Sequence, residues 1–300
     1  MEQEAPQANN TKGFYIDFAA GCFGGVCGTI VGQPFDTVKV RLQTQGQEKI
    51  YKNGIDCAFK IIKTEGVAGL FKGLTPPIAG QSAINAIIFG VQGTVMRFLE
   101  PGLRSEIIAG CMAGAAQTIV ICPVELIKTK LQVQGKGERL SKSQRKFLGP
   151  LDCIAKIYRQ EGLFALYRGM KITLIRDIPA FGLYFGLYHS MLTFCTPEGK
   201  TFNDLGPWTV MVAGGITGMA SWVYSYPTDV IKSKIQAEGL KPLGKYDGYL
   251  DCIRTSINSE GYRVFVRGMS VCVIRAFPVN AATFAVVEGS LRLVHARREK

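Results

Sequence analysis

The chain has 300 residues, 47% hydrophobic and 19% charged, with a mean hydropathy of +0.14. These values exclude a disordered or fibrous chain and argue against a surface that faces water throughout. The formal charge is +12, but basic and aromatic residues do not interleave as RNA-binding strands require, so the excess reads as a basic face beside anionic lipid.

Uncharged stretches occupy residues 18–35, 73–96, 107–124, 178–197 and 205–228, each reaching or nearing the ~20 residues that cross a bilayer as a helix. A sixth, 276–287, is shorter and follows Arg275. Six spans put both termini on one side. The segments 44–72, 133–171 and 237–270 hold 19 Lys and Arg, against 8 in the termini and short connections, so the long loops face the cytoplasm-equivalent compartment. The first twelve residues carry Glu2, Glu4 and Lys12 without an apolar core, so neither a secretory signal nor an Arg-rich transit peptide is expected there. Nine cysteines without a CxxC and only two histidines, His189 and His295, predict neither a disulfide framework nor a metal site. No phosphate-cradling loop, HExxH or nucleophile elbow occurs, so no enzyme is expected.

A period near 100 residues organises all of this. Pro34, Asp36, Lys39, Arg41 and Gln43 recur as Pro123, Glu125, Lys128, Lys130 and Gln132, and again as Pro227, Asp229, Lys232, Lys234 and Gln236. A second motif follows in each copy: Glu65-Gly66 with Phe71-Lys72-Gly73, Glu161-Gly162 with Tyr167-Arg168-Gly169, and Glu260-Gly261 with Val266-Arg267-Gly268. Between them, Asp56-Cys57, Asp152-Cys153 and Asp251-Cys252 open short amphipathic stretches able to lie along a membrane surface, their cysteines reading as packing positions. Glycines at four-residue spacing, Gly21/Gly25, Gly24/Gly28/Gly32, Gly110/Gly114 and Gly214/Gly218, allow helices to approach closely.

These two motifs, three times in register, resemble the signature of the mitochondrial carrier family over about residues 14–295. The resemblance implies an all-α inner-membrane transporter: six transmembrane helices in three tandem two-helix repeats with pseudo-threefold symmetry, plus three short matrix-side amphipathic helices. The repeats would run 14–100, 101–196 and 197–295, between a polar tail at 1–13 and a basic one at 296–300. Both termini would face the intermembrane space.

Physically, Pro34, Pro123 and Pro227 each remove a helix hydrogen bond and bend a spanning helix. The charges beyond them must pair or face water. The family pattern pairs them in a matrix-side gate: Asp36 with Lys128, Glu125 with Lys232, Asp229 with Lys39. The plainer alternative is an i,i+3 pair within each helix, such as Asp36 with Lys39, of ~0.2–0.5 kcal/mol. Gln43, Gln132 and Gln236 resemble the family's braces beneath these pairs. At the opposite end the family's aromatic-acid-x-x-base motif is degraded. Phe89, Phe185 and Phe284 put Gly93, His189 and Glu288 at the acid positions and Met96, Leu192 and Leu291 at the basic ones, so uniport alongside exchange is expected. The surroundings of Gly54, Gly73, Gly149, Gly169, Gly248 and Gly268 resemble cardiolipin sites, where helix N-terminal amides hold lipid phosphate; ordinary helix starts are the alternative. No other cofactor is implied.

Arg176-Asp177 before Pro179, Arg275 before Pro278, and Gly80-Gln81 in the first repeat match the family's central contact points, with Asn85 one turn deeper than Gln81. Arg275, without a neighbouring acid in sequence, would hold a carboxylate by forked hydrogen bonds, Asp177 would attract a cation, and Gln81 and Asn85 would supply neutral bonds. Alternatively, Arg176 and Asp177 merely neutralise each other. The set is similar to that of carriers for basic amino acids (arginine, lysine, ornithine) and for carnitine and acylcarnitine. An aspartate at 177, where basic amino acid carriers usually have glutamate, leans toward carnitine. A non-transporting structural membrane protein would need neither Arg275 nor Asp177. The family is usually monomeric.

Overall fold

The computed structural model describes residues 7–45, 50–134, 146–197, 202–237, 246 and 248–298, with side chains from Gly21 to Ser290 apart from Asn203, Pro207, Phe284 and Glu288. Among the described residues the regular structure is entirely helical. Six helices are long: α1 (Gln7–Gln43), α3 (Thr75–Phe98), α4 (Leu103–Val133), α6 (Met170–Cys195), α7 (Pro207–Ala237) and α9 (Met269–Arg298); three have twelve residues: α2 (Gly54–Glu65), α5 (Pro150–Glu161) and α8 (Tyr249–Glu260). Each repeat is thus long, short, long. The long helices run well past the uncharged stretches and include the signature charges. Three segments are long and apolar enough to cross a membrane, Val67–Phe98, Leu103–Val133 and Tyr262–Val287.

The long helices pack in chain order as a ring closed by α9 against α1. Contacts are broad at α1/α9, α3/α4, α4/α6 and α6/α7 but thin at α1/α3 and α7/α9. Pro34, Pro123 and Pro227 lie inside α1, α4 and α7, which remain continuous. Ahead of each proline a side chain reaches across to the second motif: Gln33 Nε2 donates to the Lys72 carbonyl at 2.7 Å, Tyr226 Oη to the Arg267 carbonyl at 2.8 Å, and Cys122 Sγ lies 3.9 Å from the Arg168 carbonyl. The carbonyl thus served lies between a 3-10 turn and the next long helix, where the regular ladder is interrupted.

The short helices are tucked under the charged ends of α1, α4 and α7. Cys57, Ile61 and Tyr51 pack on Val38 and Leu42; Cys153, Ile157 and Phe147 on Leu126, Ile127 and Leu131; Cys252 on Ile231, Ile235 and Ile172. The three cysteines are fully buried, and burial raises the thiols of two of them, Cys57 to about 12 and Cys153 to about 11. The amphipathic stretches therefore use one face for protein packing and leave Phe59, Leu151 and Leu250 exposed on the other. Each short helix ends at a glycine with positive φ, Gly66 at 77°, Gly162 at 82° and Gly261 at 73°, a conformation that a Cβ disfavours.

Candidate functional site

The charges that follow the three prolines converge. Lys128 Nζ lies 2.6 Å from Asp36 Oδ2, Lys39 Nζ lies 2.7 Å from Asp229 Oδ2, and Lys232 pairs with Glu125. Every pair joins two different repeats, so α1, α4 and α7 form a closed ring. The intrahelical alternative is not adopted: Lys39 points to Asp229 rather than to Asp36, three residues before it in the same helix. Lys39 also lies 4.4 Å from the ring centroid of Trp222, a cation–π contact. All six charges line one cavity of about 220 Å³, together with Gln81, Arg176, Trp222 and Arg275. Charges this deep are tolerable because each meets an opposite charge.

A second set of ion pairs, not anticipated from sequence, lies just outside the ring. Glu65 binds both Arg41 and Lys72, with Arg41 Nη2 to Glu65 Oε2 at 2.9 Å; Glu260 binds Lys234, at 2.5 Å, and Arg267; Glu161 binds Arg168. Glu65 and Glu260 thus link residues of both motifs in their own repeats, while the Glu161–Arg168 pair lies within the second motif. The signal was present, an acid and a base in every second motif and a further base in every first one, but their connection depends on the short helix folding back.

The glutamines differ among themselves. Gln43 Nε2 donates to Asp229 Oδ2 at 3.3 Å. Gln132 Nε2 donates instead to Thr37 Oγ1 at 3.1 Å, and Gln236 Nε2 is buried without a hydrogen-bond partner among the described residues. The common brace expected from the motif is therefore replaced by one glutamine on a ring carboxylate, one on a threonine and one unpaired amide.

Arg176 bridges three acids, Asp177 at 2.5 Å, Asp229 at 2.8 Å and Glu125 at 3.3 Å. Neither the free ligand arginine nor the simple Arg176–Asp177 pair expected from sequence describes it. Asp177 is 2% exposed and accepts from Gln117 Nε2 at 3.2 Å across the α4/α6 seam; it does not line the ring cavity but lines an adjoining one of about 310 Å³ with Arg176, Tyr184 and Trp222. Successive helix residues point ~100° apart; with Arg176 on the cavity, Asp177 falls to its flank. Arg275 does have an acid neighbour: its Nε is 2.8 Å from Asp36 Oδ1, contributed by α1 across the α1/α9 seam. Gln81 lines the cavity, and its Nε2 donates to Asn85 Oδ1 at 3.1 Å, one turn along α3. The cavity therefore presents five cations and three carboxylates.

At the other end, Gly93 and Met96 lie on α3, and His189 packs edge-on to Phe202 at 5.5 Å. Leu192 is buried. Phe284, Glu288 and Leu291 fall outside the described side chains. Among the glycines likened to lipid sites, Gly54 begins α2, and Gly149 and Gly248 immediately precede α5 and α8. Gly73, Gly169 and Gly268 have φ of 75°, 91° and 87° just before or at the start of α3, α6 and α9. A groove of about 570 Å³ lined by Gly54, Leu70, Val271 and Ile274 opens beside the first of them.

The family model described as mitochondrial carrier protein matches residues 10–103, 100–198 and 203–298. A mitochondrial basic amino acids transporter from Bos taurus is 48% identical over 290 residues, covering 95% of this chain and 93% of that protein; its Homo sapiens counterpart is 47% identical over 289 residues, covering 95% and 92%. A mitochondrial carnitine/acylcarnitine carrier protein from Rattus norvegicus is 39% identical over 288 residues, covering 92% and 93%.

Proposed function

The chain belongs to the mitochondrial carrier protein family, and from that premise we propose that it moves basic amino acids across the mitochondrial inner membrane by alternating access. The observation that carries this reading is the single cavity in which five cations face three carboxylates. An amino acid with a cationic side chain brings one group for each kind of partner: its carboxylate for an arginine, its ammonium or guanidinium for a ring acid. The similarity to basic amino acid transporters supports the substrate class.

The six long helices are the membrane spans. The shortest, α3, has 24 residues, about 36 Å at ~1.5 Å per residue, more than the ~30 Å of bilayer hydrocarbon. α6 and α7 are rich in Gly, Ser and Tyr, which lowers their average hydropathy without adding charge. The ion-pair ring is the matrix gate, the termini face the intermembrane space, and the protein works as a monomer. Cardiolipin docks at the starts of α2, α5 and α8, where first-turn amides are available to phosphate. With Gly93 and Met96 in place of an acid and a base, the opposite gate resists opening less, so some uniport accompanies exchange.

Carnitine transport is the second reading, favoured by the shorter acid at Asp177. Uptake of labelled arginine, lysine, ornithine and carnitine into liposomes holding the purified chain, with and without internal substrate, separates the two. Basic amino acids are expected to enter, some of them without counter-substrate. Arg275→Ala should lower uptake roughly 30-fold or more, from the ~2–5 kcal/mol cost of removing one member of a buried charged pair. Faster carnitine entry selects the second reading, and uptake untouched by both Arg275→Ala and Asp177→Ala removes the site.

A further inference from the structure

The three corners of the ring, where α1 meets α4, α4 meets α7 and α7 meets α1, are not tied alike. At the α1/α4 corner Arg41 is completely buried. Its two terminal nitrogens are taken by Glu65 of its own repeat, while its Nε donates to the Gln132 main-chain carbonyl at 3.0 Å. That carbonyl lies in the last turn of α4, where helix oxygens lack intrahelical donors and a cation is favoured. The Gln132 side chain donates back to Thr37 Oγ1, which itself donates to the Leu70 carbonyl at 2.7 Å. A Cβ on Gly73 would come within 2.8 Å of the Lys128 carbonyl oxygen, so main chain meets main chain there.

The other corners lack the residues for this. The counterparts of Arg41 are Lys130 and Lys234, and the one nitrogen of Lys234 serves Ser256 at 3.0 Å and Glu260, both on α8. The counterparts of Thr37 are Leu126 and Val230, which offer no acceptor; this accounts for the buried amide of Gln236 and for the turning of Gln43 to Asp229. A Cβ on Gly169 would meet first the flexible Gln236 Cγ, at 3.3 Å, and one on Gly268 a side chain of its own repeat, Tyr226 Oη at 3.0 Å. Lys232 with Glu125, Lys39 with Asp229, and Arg176 with both of these acids join side chains to side chains.

We infer that Arg41 latches the C-terminus of α4 to α1 across the repeat boundary, so that the α1/α4 corner stays joined while the other two corners part. Side chains can swing aside, but a main-chain carbonyl moves only with its helix. An even opening would break a buried, charge-assisted hydrogen bond at one corner alone, the costliest kind. Opening at the other two corners avoids that cost and carries α7 away from a joined α1 and α4. Arg41 is a positioning residue, and its fork is what allows the double duty: a lysine nitrogen that reaches Glu65 leaves the Gln132 carbonyl unserved. The inference rests on the reading of the ring as a gate.

Amide hydrogen exchange on the full chain in liposomes, with arginine on both sides, reads each helix end separately. In the unmodified protein the last turn of α4, residues 130–133, is expected to exchange about tenfold more slowly than the last turn of α7, residues 234–237, once intrinsic rates are corrected. Arg41→Lys keeps the charge and the pairing with Glu65. It should cost α4 that protection, about tenfold or ~1.4 kcal/mol, and leave α7 unchanged. Thr37→Val removes the other half of the latch and should give an intermediate loss, which Thr37→Ser restores. Net arginine efflux from liposomes holding the chain in both orientations includes carriers that must open an empty ring. It should rise about tenfold in Arg41→Lys with KM for arginine exchange within about twofold, a split that mere loosening of the fold would not produce. Equal protection of α4 and α7 in the unmodified protein overturns the inference, whether or not a variant folds. So does a folded Arg41→Lys whose α4 is as protected as before. An unmodified chain that moves no amino acid across the liposome membrane overturns the gate reading instead.

Discussion

In the second repeat α4 and α6 lie backbone to backbone, whereas in the third α7 carries the same glycine spacing as α4 yet stands apart from α9. A Cβ on Gly110 would come within 2.7 Å of the Phe181 carbonyl oxygen, and one on Gly114 within 2.8 Å of that of Asp177. Among the described residues, the equivalent Gly214 has nothing nearer than 3.8 Å and Gly218 nothing within 4 Å. The partner helices differ too: α6 presents Gly182 and Gly186, at the positions where α9 has Ala281 and Ala285. Small residues at four-residue spacing therefore permit close approach without imposing it, and glycines on both helices accompany the tight seam. The polar residues follow suit. Gln117 and Asp177 bond across the tight seam, while the same positions in the third repeat hold Ser221 and Ala276, and Ser221 Oγ turns instead to the Ala180 carbonyl of α6 at 3.0 Å. One seam is tightly packed and its counterpart is not.

The largest effect expected from this contrast is on stability. Gly114→Ala pushes a methyl group into backbone that cannot swing aside and should cost ~1–3 kcal/mol as overpacking does. Gly218→Ala should fall within ~0.5 kcal/mol. Thermal unfolding of the two variants in the same detergent measures the difference, and equal losses would erase the distinction between the seams.

A smaller difference is expected between the two polar positions. Gln117→Leu leaves Asp177 Oδ2 buried without its donor, a loss of ~1–3 kcal/mol, while Oδ1 keeps Arg176. Ser221→Ala removes an ordinary hydroxyl bond worth ~0.5–1.5 kcal/mol. Because Asp177 helps to hold Arg176, Gln117→Leu should also raise KM for the transported amino acid, whereas Ser221→Ala should not. A KM unchanged in Gln117→Leu would mean that Arg176 is fixed by Asp229 and Glu125 alone.

The repeat pattern carried most of the architecture, because a motif that recurs three times fixes the phase of the helices. Asp36 with Lys128, Glu125 with Lys232 and Asp229 with Lys39 followed from the family resemblance that those motifs carry, the copies alone leaving an i,i+3 pair within each helix open. What escaped depends on features that the repeats do not share. The turning of Asp177 toward α4 rests on Gln117, which has no counterpart at Gly28 or Ser221. The acid beside Arg275 comes from α1, remote in the chain, through a gap that only Gly32 leaves. The glutamate links at Glu65, Glu161 and Glu260 required the short helices to fold against the protein, whereas amphipathicity alone was equally consistent with a membrane surface.

The smallest effect lies at the start of the short helices, where the second and third repeats diverge again. In α5 the Asp152 carboxylate accepts the Leu148 backbone N–H at 2.9 Å and pairs with Lys156 at 2.9 Å; in α8 the residue four positions after Asp251 is Thr255, whose Oγ1 donates at 3.3 Å. The Asp152 carboxyl is held below the ordinary carboxylate range, first by the Leu148 N–H and then by Lys156. A carboxyl whose folded value is depressed adds stability that is present above its unfolded value, ~3.9, and lost as pH falls through the folded one. Amide protection at the N-terminus of α5, corrected for intrinsic exchange, should therefore drop between about pH 5 and about pH 3, and Asp152→Asn should flatten that dependence while leaving α8 as it was. Both partners are solvent-exposed, so salt should weaken the effect as well. A profile for α5 that survives both Asp152→Asn and high salt would place its origin outside the helix start.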